Sequence, residues 1–393
     1  MPDSWVAKYT QVKAAGLIAD VPVPTAFPDG LVQYPKGTDP ASKDVCNWES
    51  SQCFMDDTIN VAPDGVLAIG FDDGPTEAVA AYADYFKKEE IVATHFLIGL
   101  QILTCPSCMT NLVNMQPEQH LASHSFTHTQ LPLMQDLELV ADIGWSLQVI
   151  YDYSGKIPLY IRPPQGDIDR RVMTIAREVF GVQVVMWNQD HLDWCLLDAG
   201  EKETLPDVCK GTTLDSINTA YKGMMDASPQ KGVLLLVHEI RNASQAPFRT
   251  LIAGAKEKKW KIGPVTDVDA KLPWYENAAT AGVKGEAVDD ILTKRKPFTV
   301  AGGGSTITLN GDWSAGAGGN TSAGGSTSGK GKSGASAGGN STQTNGTDAG
   351  NGNGTTGAGS PSASGSGLTM SSPIAAALGA VAGLVIAGLV TLQ

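Results

Sequence analysis

The chain has 393 residues, 41 of them acidic and 28 basic, for a formal net charge of −13. That length supports one large domain with a substantial core, plus appendages. The acidic surplus argues against a nucleic-acid partner, since phosphate binding needs clustered Lys and Arg, and it suits a neutral or cationic partner instead.

Residues 1–58 are Pro-rich with little periodicity and are expected to form an irregular extension. From 59 to about 300, apolar runs alternate with helical spacing. VLAIGF (66–71) is a predicted strand, followed by a helix over about 76–90 with Val79, Tyr82 and Phe86 on one face. IVATHFLI (91–98) and LASH (121–124) are strand-like; 134–153 has helical spacing, and LYI (159–161) is short. A helix over 169–180 precedes VQVVMW (182–187), VLLLV (233–237) is the most apolar run, and 248–260 is again helical. Continuous apolar strands separated by helices predict a parallel sheet covered on both faces. About seven such units favour a distorted (β/α) barrel over an open sheet, with the chemistry at the C-terminal ends of the strands.

Beyond 300 the composition changes to Gly, Ser, Thr, Asn and Ala. Such a segment buries too little apolar surface to offset its ordering entropy, so 301–367 is expected to be a disordered, flexible stalk. Its charges, Asp312, Lys330, Lys332 and Asp348, cancel, which leaves the net −13 on residues 1–300. In 368–393, an apolar run from Ile374 to Leu392 follows the small residues of PSASGSG and the spacer LTMSSP. This order fits a glycolipid-anchor signal that is removed in the mature protein. A membrane span is the alternative, but no Lys or Arg follows the run. MPDSWVAKYT has no basic start and apolar run, so a leader is expected to be missing.

The spacing of the six cysteines suggests local pairs 46–53, 105–108 and 195–209. For Cys105-Pro-Ser-Cys108 a zinc cluster is the alternative, but no second CxxC follows. Asn-x-Ser/Thr sequons at Asn242, Asn320, Asn340, Asn345 and Asn353, together with paired cysteines and a stalk, point outside the cytosol.

Five apolar runs end in chemically active residues. VLAIGF leads to Asp72 and Asp73, LASH to His124-Ser-Phe-Thr-His128, and LYI to Arg162-Pro-Pro-Gln165-Gly166. VQVVMW leads to Asp190-His-Leu-Asp193-Trp194, and VLLLV to His238-Glu239. Two histidines four apart and one carboxylate, Asp73, make a three-ligand metal set with open positions, as hydrolytic sites require. Its neighbour Asp72 is placed to act as general base, with Gly74 and Pro75 keeping both aspartates exposed at the rim. Arg162 would hold and orient Asp72. Pro163 and Pro164 lack an N–H, so the first free donor of that loop is the Gln165 amide, suited to an oxyanion. His238, backed by Asp193, is the candidate acid, and Trp194 and Leu236 could wall a small apolar pocket. His95, His120 and His191 are assigned no role beyond structure or surface.

Taken in order, FDDGP, HSFTH, RPPQG, DHLDW and LVHE resemble the five motifs of the polysaccharide deacetylases (carbohydrate esterase family four, the NodB-homology domain), over about residues 60–270. Within that family the chain is most similar to the fungal chitin deacetylases, which are secreted and often carry a Ser/Gly-rich stalk and a glycolipid anchor. The resemblance implies a distorted (β/α) barrel and a divalent metal, usually zinc and sometimes cobalt. It matches Asp73, His124 and His128 to the metal ligands, with Asp73 also at the substrate. It matches Asp72 to the base, Arg162 to its tether, His238 to the acid and Asp193 to the residue tuning that acid. Trp194 and Leu236 match the wall around an acetyl methyl. Gln165 stands where many members have Tyr, and Glu239 where bacterial members have Asp; the effect of Glu239 is expected to be small. The implied activity is hydrolysis of N-acetyl groups on chitin or partly deacetylated chitosan in the cell wall, by a monomer tied to the membrane only through its anchor. An O-acetyl esterase acting on acetylxylan, and a silent wall-binding protein, are the alternatives.

Overall fold

The computed structural model describes residues 1–292 apart from 28–30, 56, 228–229 and 269–272. The stalk and apolar tail expected at 301–367 and 368–393, and with them Asn320, Asn340, Asn345 and Asn353, lie outside the described residues. Among the described residues no helix is long and apolar enough to cross a membrane.

Eight strands build one sheet: β1 Val66–Gly74, β2 Thr94–Leu97, β3 His120–Ser123, β4 Tyr160–Ile161, β5 Gln183–Val184, β6 Gln189–Asp190, β7 Val233–His238 and β8 Lys261–Gly263. Their order is β5-β4-β3-β2-β1-β7-β6, with β8 beside the start of β1, and every pairing is parallel. The two ends of this path are parts of one chain segment. β5 and β6 are separated by only residues 185–188, so the sheet curls back on itself and its ring is completed along the chain. Asn188 makes the join: its backbone N–H donates to Leu234 O, and its side chain exchanges hydrogen bonds with Gly232 and Leu234 of the β7 edge.

The apolar runs are continuous because both faces of the sheet are covered. Ala68, Phe96, Leu234 and Leu236 belong to one buried cluster. The alternating Leu67, Ile69, Phe71, Leu235 and Val237 belong to the other, beneath helices that include Leu214–Asp226 and Gln245–Glu257. The helix expected over 76–90 is a 3₁₀ segment, Glu77–Tyr82, that runs into an α-helix, Ala83–Glu89. The helix expected over 169–180 changes from α at Arg170–Ile175 to π at Ala176–Phe180. The β8 strand falls just after the helix expected over 248–260, which ends at Glu257.

The cysteines pair as 46–53, 105–108 and 195–209, with Cα separations of 5.2, 5.3 and 5.4 Å, inside the usual range. With both sulfurs bonded to each other, Cys105 and Cys108 offer no thiolate to zinc.

Residues 1–58 are largely loop, yet they open with a helix, Asp3–Ala14, that the sequence reading missed. Trp5, Tyr9 and Val12 line its buried face. Trp5 is wholly buried, edge-on to Trp145 and Phe180, against a helix that has Gly144 where any Cβ would strike the indole. The indole N–H reaches Asp290 at 3.2 Å, so the extension is tied to the far end of the described chain. Trp5→Ala should therefore cost about 3–5 kcal/mol of stability, read as a lower midpoint in urea unfolding; an unchanged midpoint would mean the helix is merely attached.

Candidate active site

The strand ends converge on one cleft, lined by Asp72, Asp73, His124, His128, Gln165, Trp187, Asp190, Trp194, Leu236, His238 and Ile240. The β1 strand does not stop at the aspartates but runs through them, with Asp72 in register with His238 of β7 and Gly74 with Leu97 of β2. This corrects the expectation that both carboxylates stay exposed at the rim. Asp72 is 3% exposed, and the side chain of Asp73, at φ +69°, is only 15% exposed. Thr76 caps the 3₁₀ segment that follows.

Asp72 can be buried because Arg162, itself fully buried, donates from Nη1 to its Oδ1 at 2.7 Å. The guanidinium also donates to Met186 O and lies 4.2 Å from the Phe96 ring centroid. It needs Gly70 beneath it, where a Cβ would sit 2.6 Å from Nη2.

His124 follows β3 directly. Its Nδ1–H donates to the Arg162 carbonyl at 2.8 Å, which directs Nε2 toward Asp73. The Nε2 atoms of His124 and His128 lie 3.3 and 3.1 Å from Asp73 Oδ1. Burial opposes ionisation of Asp73, but the facing imidazoles hold its carboxyl well below the usual range. Oδ1 is buried without a hydrogen-bond partner, and the three ligand atoms lie within 4.8 Å of one another. Two nitrogens and one oxygen converging on a point, with an orphaned carboxylate oxygen among them, fit a divalent cation.

The turn that carries His128 was not legible as such. Asp142, on the buried face of helix Asp136–Ser154, accepts from Phe126 N, Thr127 N and Thr127 Oγ1 at 2.8, 3.0 and 2.7 Å. Ser125 Oγ accepts the His128 N–H at 2.9 Å, fixing His128 at φ +61°. An aspartate on a largely apolar helix face was the available signal.

Opposite the ligand set, the His238 Nδ1–H donates to Asp193 Oδ1 at 2.8 Å, while the His238 backbone N–H donates to Oδ2 at 2.9 Å. Burial alone would lower the imidazole pKa; the Asp193 carboxylate, with Asp73 and Asp72 behind it, overrides this and pushes it up to about 10. Trp194 and Leu236 wall the same cleft.

Gln165 sits in the left-handed region at φ 59°. Gly166 and Asp167 donate to the carbonyls of Pro163 and Pro164, which leaves the Gln165 N–H as the spare donor of the loop. The loop is clasped from outside by a segment the sequence reading left unassigned. Asn47 Nδ2 donates to Asp167 Oδ1 at 2.7 Å, the Trp48 N–H donates to Ile168 O at 3.0 Å, and the Trp48 ring fills the space a Cβ on Gly166 would need.

Glu239 is packed beneath the aspartate turn. It is fully buried with Oε2 2.7 Å from His95 Nδ1, its N–H donates to Asp72 O, and its side chain lies where a Cβ on Gly74 would fall. It is the bed under the FDDGP turn. His120 is buried between Thr94 and the Trp274 carbonyl, and burial lowers its pKa to about 3. His191 is half-buried, edge-on to Tyr221. None of these three histidines joins the cleft.

The polysaccharide deacetylase family pattern matches residues 60–185, which hold the first three motifs. Chitin deacetylase 3 of Cryptococcus neoformans var. neoformans is 32% identical over 297 residues, 75% of this chain and 67% of that one. The chain belongs to the polysaccharide deacetylase family. Another relative, the chitin deacetylase of Amylomyces rouxii, is 28% identical over 62% of this chain and 56% of its own length. Among solved structures, the chitin deacetylase of Colletotrichum lindemuthianum aligns with 56% of this chain and 94% of its own at 19% identity, with a TM-score of 0.47. The Trp5 helix and the Trp48 clasp lie before the segment that the family pattern matches.

Proposed function

We propose that the protein is a metal-dependent N-deacetylase that removes acetyl groups from N-acetylglucosamine units of chitin or partly deacetylated chitosan. The observation that carries this reading is one cleft with a three-ligand set between a carboxylate held by Arg162 and an imidazole held by Asp193. The names of its fungal relatives supply the substrate class. Asp73, His124 and His128 would hold the metal, zinc or cobalt, which when bound polarises the acetamide carbonyl and acidifies water. Asp72 accepts the proton of the attacking water. The Gln165 N–H donates to the developing oxyanion. His238 gives its proton to the departing nitrogen, and the C–N bond breaks to leave acetate and a free amine. Trp194 and Leu236 enclose the acetyl methyl. The acidic body supports a chain that already carries cationic glucosamine units as substrate. Sequons, disulfides and the apolar tail support a secreted wall protein held by a glycolipid anchor.

The test is acetate release by the zinc-loaded protein from chitin oligosaccharides, chitosan and acetylxylan, side by side. Release from the N-acetylated substrates is expected; release from acetylxylan alone would make it an O-acetyl esterase, and binding without release a silent wall-binding protein.

The acid in this scheme sets the alkaline limb of the pH profile. His238 is raised, so its protonated form persists below its pKa of about 10 and is lost as pH climbs through that value. Asp193→Asn removes the adjacent carboxylate and should move the alkaline limb of kcat/KM to lower pH by roughly one to three pH units.

A further inference from the structure

We propose that Phe54 is a stacking platform for a pyranose ring next to the one being deacetylated, a subsite built by the N-terminal disulfide loop. The inference rests on the reading of a sugar polymer as substrate. Phe54 is 42% exposed and follows Cys53, which is bonded to Cys46. A lone exposed apolar side chain is ordinary, but this one ends an aromatic row. Its ring lies edge-on to Trp48 at 6.4 Å, and Trp48 lies edge-on to Trp187 at 4.9 Å. Trp187 and Gln165 line the cleft, so the row runs from the reaction site to the surface. Its mounting is rigid, because Trp48 is buried and its neighbour Asn47 is bonded to Asp167. Pyranose faces are apolar C–H surfaces, and a rigidly held ring takes them up with little ordering cost. The phenyl ring carries no charge, so the subsite would grip acetylated and deacetylated units alike. Residues 46–54 precede the segment that the family pattern matches.

Phe54→Ala and Phe54→Tyr are compared with the wild type, each as the full zinc-loaded chain, on the chitin dimer and hexamer. The ratio of kcat/KM on hexamer to that on dimer should fall roughly two- to tenfold in Phe54→Ala, through KM, and return in Phe54→Tyr. Calorimetric binding of the hexamer to zinc-free protein should weaken by the same factor. A wild-type ratio, with unchanged hexamer binding, overturns the subsite. If the wild type releases no acetate from any oligomer, the deacetylase reading falls; the binding arm then decides alone, with Phe54-dependent affinity supporting the subsite and Phe54-independent affinity overturning it.

Discussion

Asp72→Asn should fold, bind metal and lose acetate release by roughly a hundred- to ten-thousand-fold, the usual contribution of a positioned general base. The substitution keeps the shape of the side chain but removes its capacity to accept a proton. It also strips the counter-charge from Arg162, which is fully buried and 2.7 Å from Asp72. Breaking such a pair from one side leaves an uncompensated charge and should cost about 3–5 kcal/mol of stability. The two effects separate experimentally. Unfolding in urea reads the Arg162 penalty, and acetate release at a temperature where the variant is folded reads the base. Because Asp73, His124 and His128 are untouched, zinc affinity should remain near the wild-type value. A variant that is folded, zinc-loaded and as fast as the wild type would remove Asp72 from the mechanism.

Asp73→Asn should act on the metal first and on the rate in consequence. Asn tolerates the left-handed backbone at φ +69°, so the turn should survive. The loss is a negative charge facing two imidazole nitrogens at 3.1 and 3.3 Å. Substitutions one shell further out already cost about 10- to 100-fold in metal affinity, so zinc affinity, measured by competition with a chelator, should fall by at least that much. Excess zinc should then restore part of the acetate release. Unchanged affinity would place the cation elsewhere.

The residues that share the cleft were legible because a parallel sheet gathers all its C-terminal strand ends on one side. Aspartates, histidines and an arginine placed just after apolar runs must then meet. Of what supports them, Arg162 and Asp193 were legible because they too follow apolar runs; the rest was not, because it comes from far along the chain. Asp142 is sixteen residues from the Phe126 amide it accepts from, Asn47 is 120 from Asp167, and Glu239 is 144 from His95. Each reads locally as an ordinary polar residue. The Trp5 helix escaped notice for a related reason: its face has only Trp5, Tyr9 and Val12, and what makes it bury is a glycine at position 144. The burial of Asp72 was misjudged although Arg162 was already paired with it, because the turn sequence does not show that β1 runs on through both aspartates. Strands as short as Tyr160–Ile161 and Gln183–Val184, and the closure through Asn188, depend on neighbours rather than on propensity.

The most direct test of the central claim is to count acetate and new primary amines released from one N-acetylated chitin oligosaccharide by the full chain, before chelation, after it, and after zinc is returned. The account predicts equal amounts of the two products, neither after chelation, and recovery of both with zinc. Products that keep forming at the original rate in the metal-free protein would contradict it.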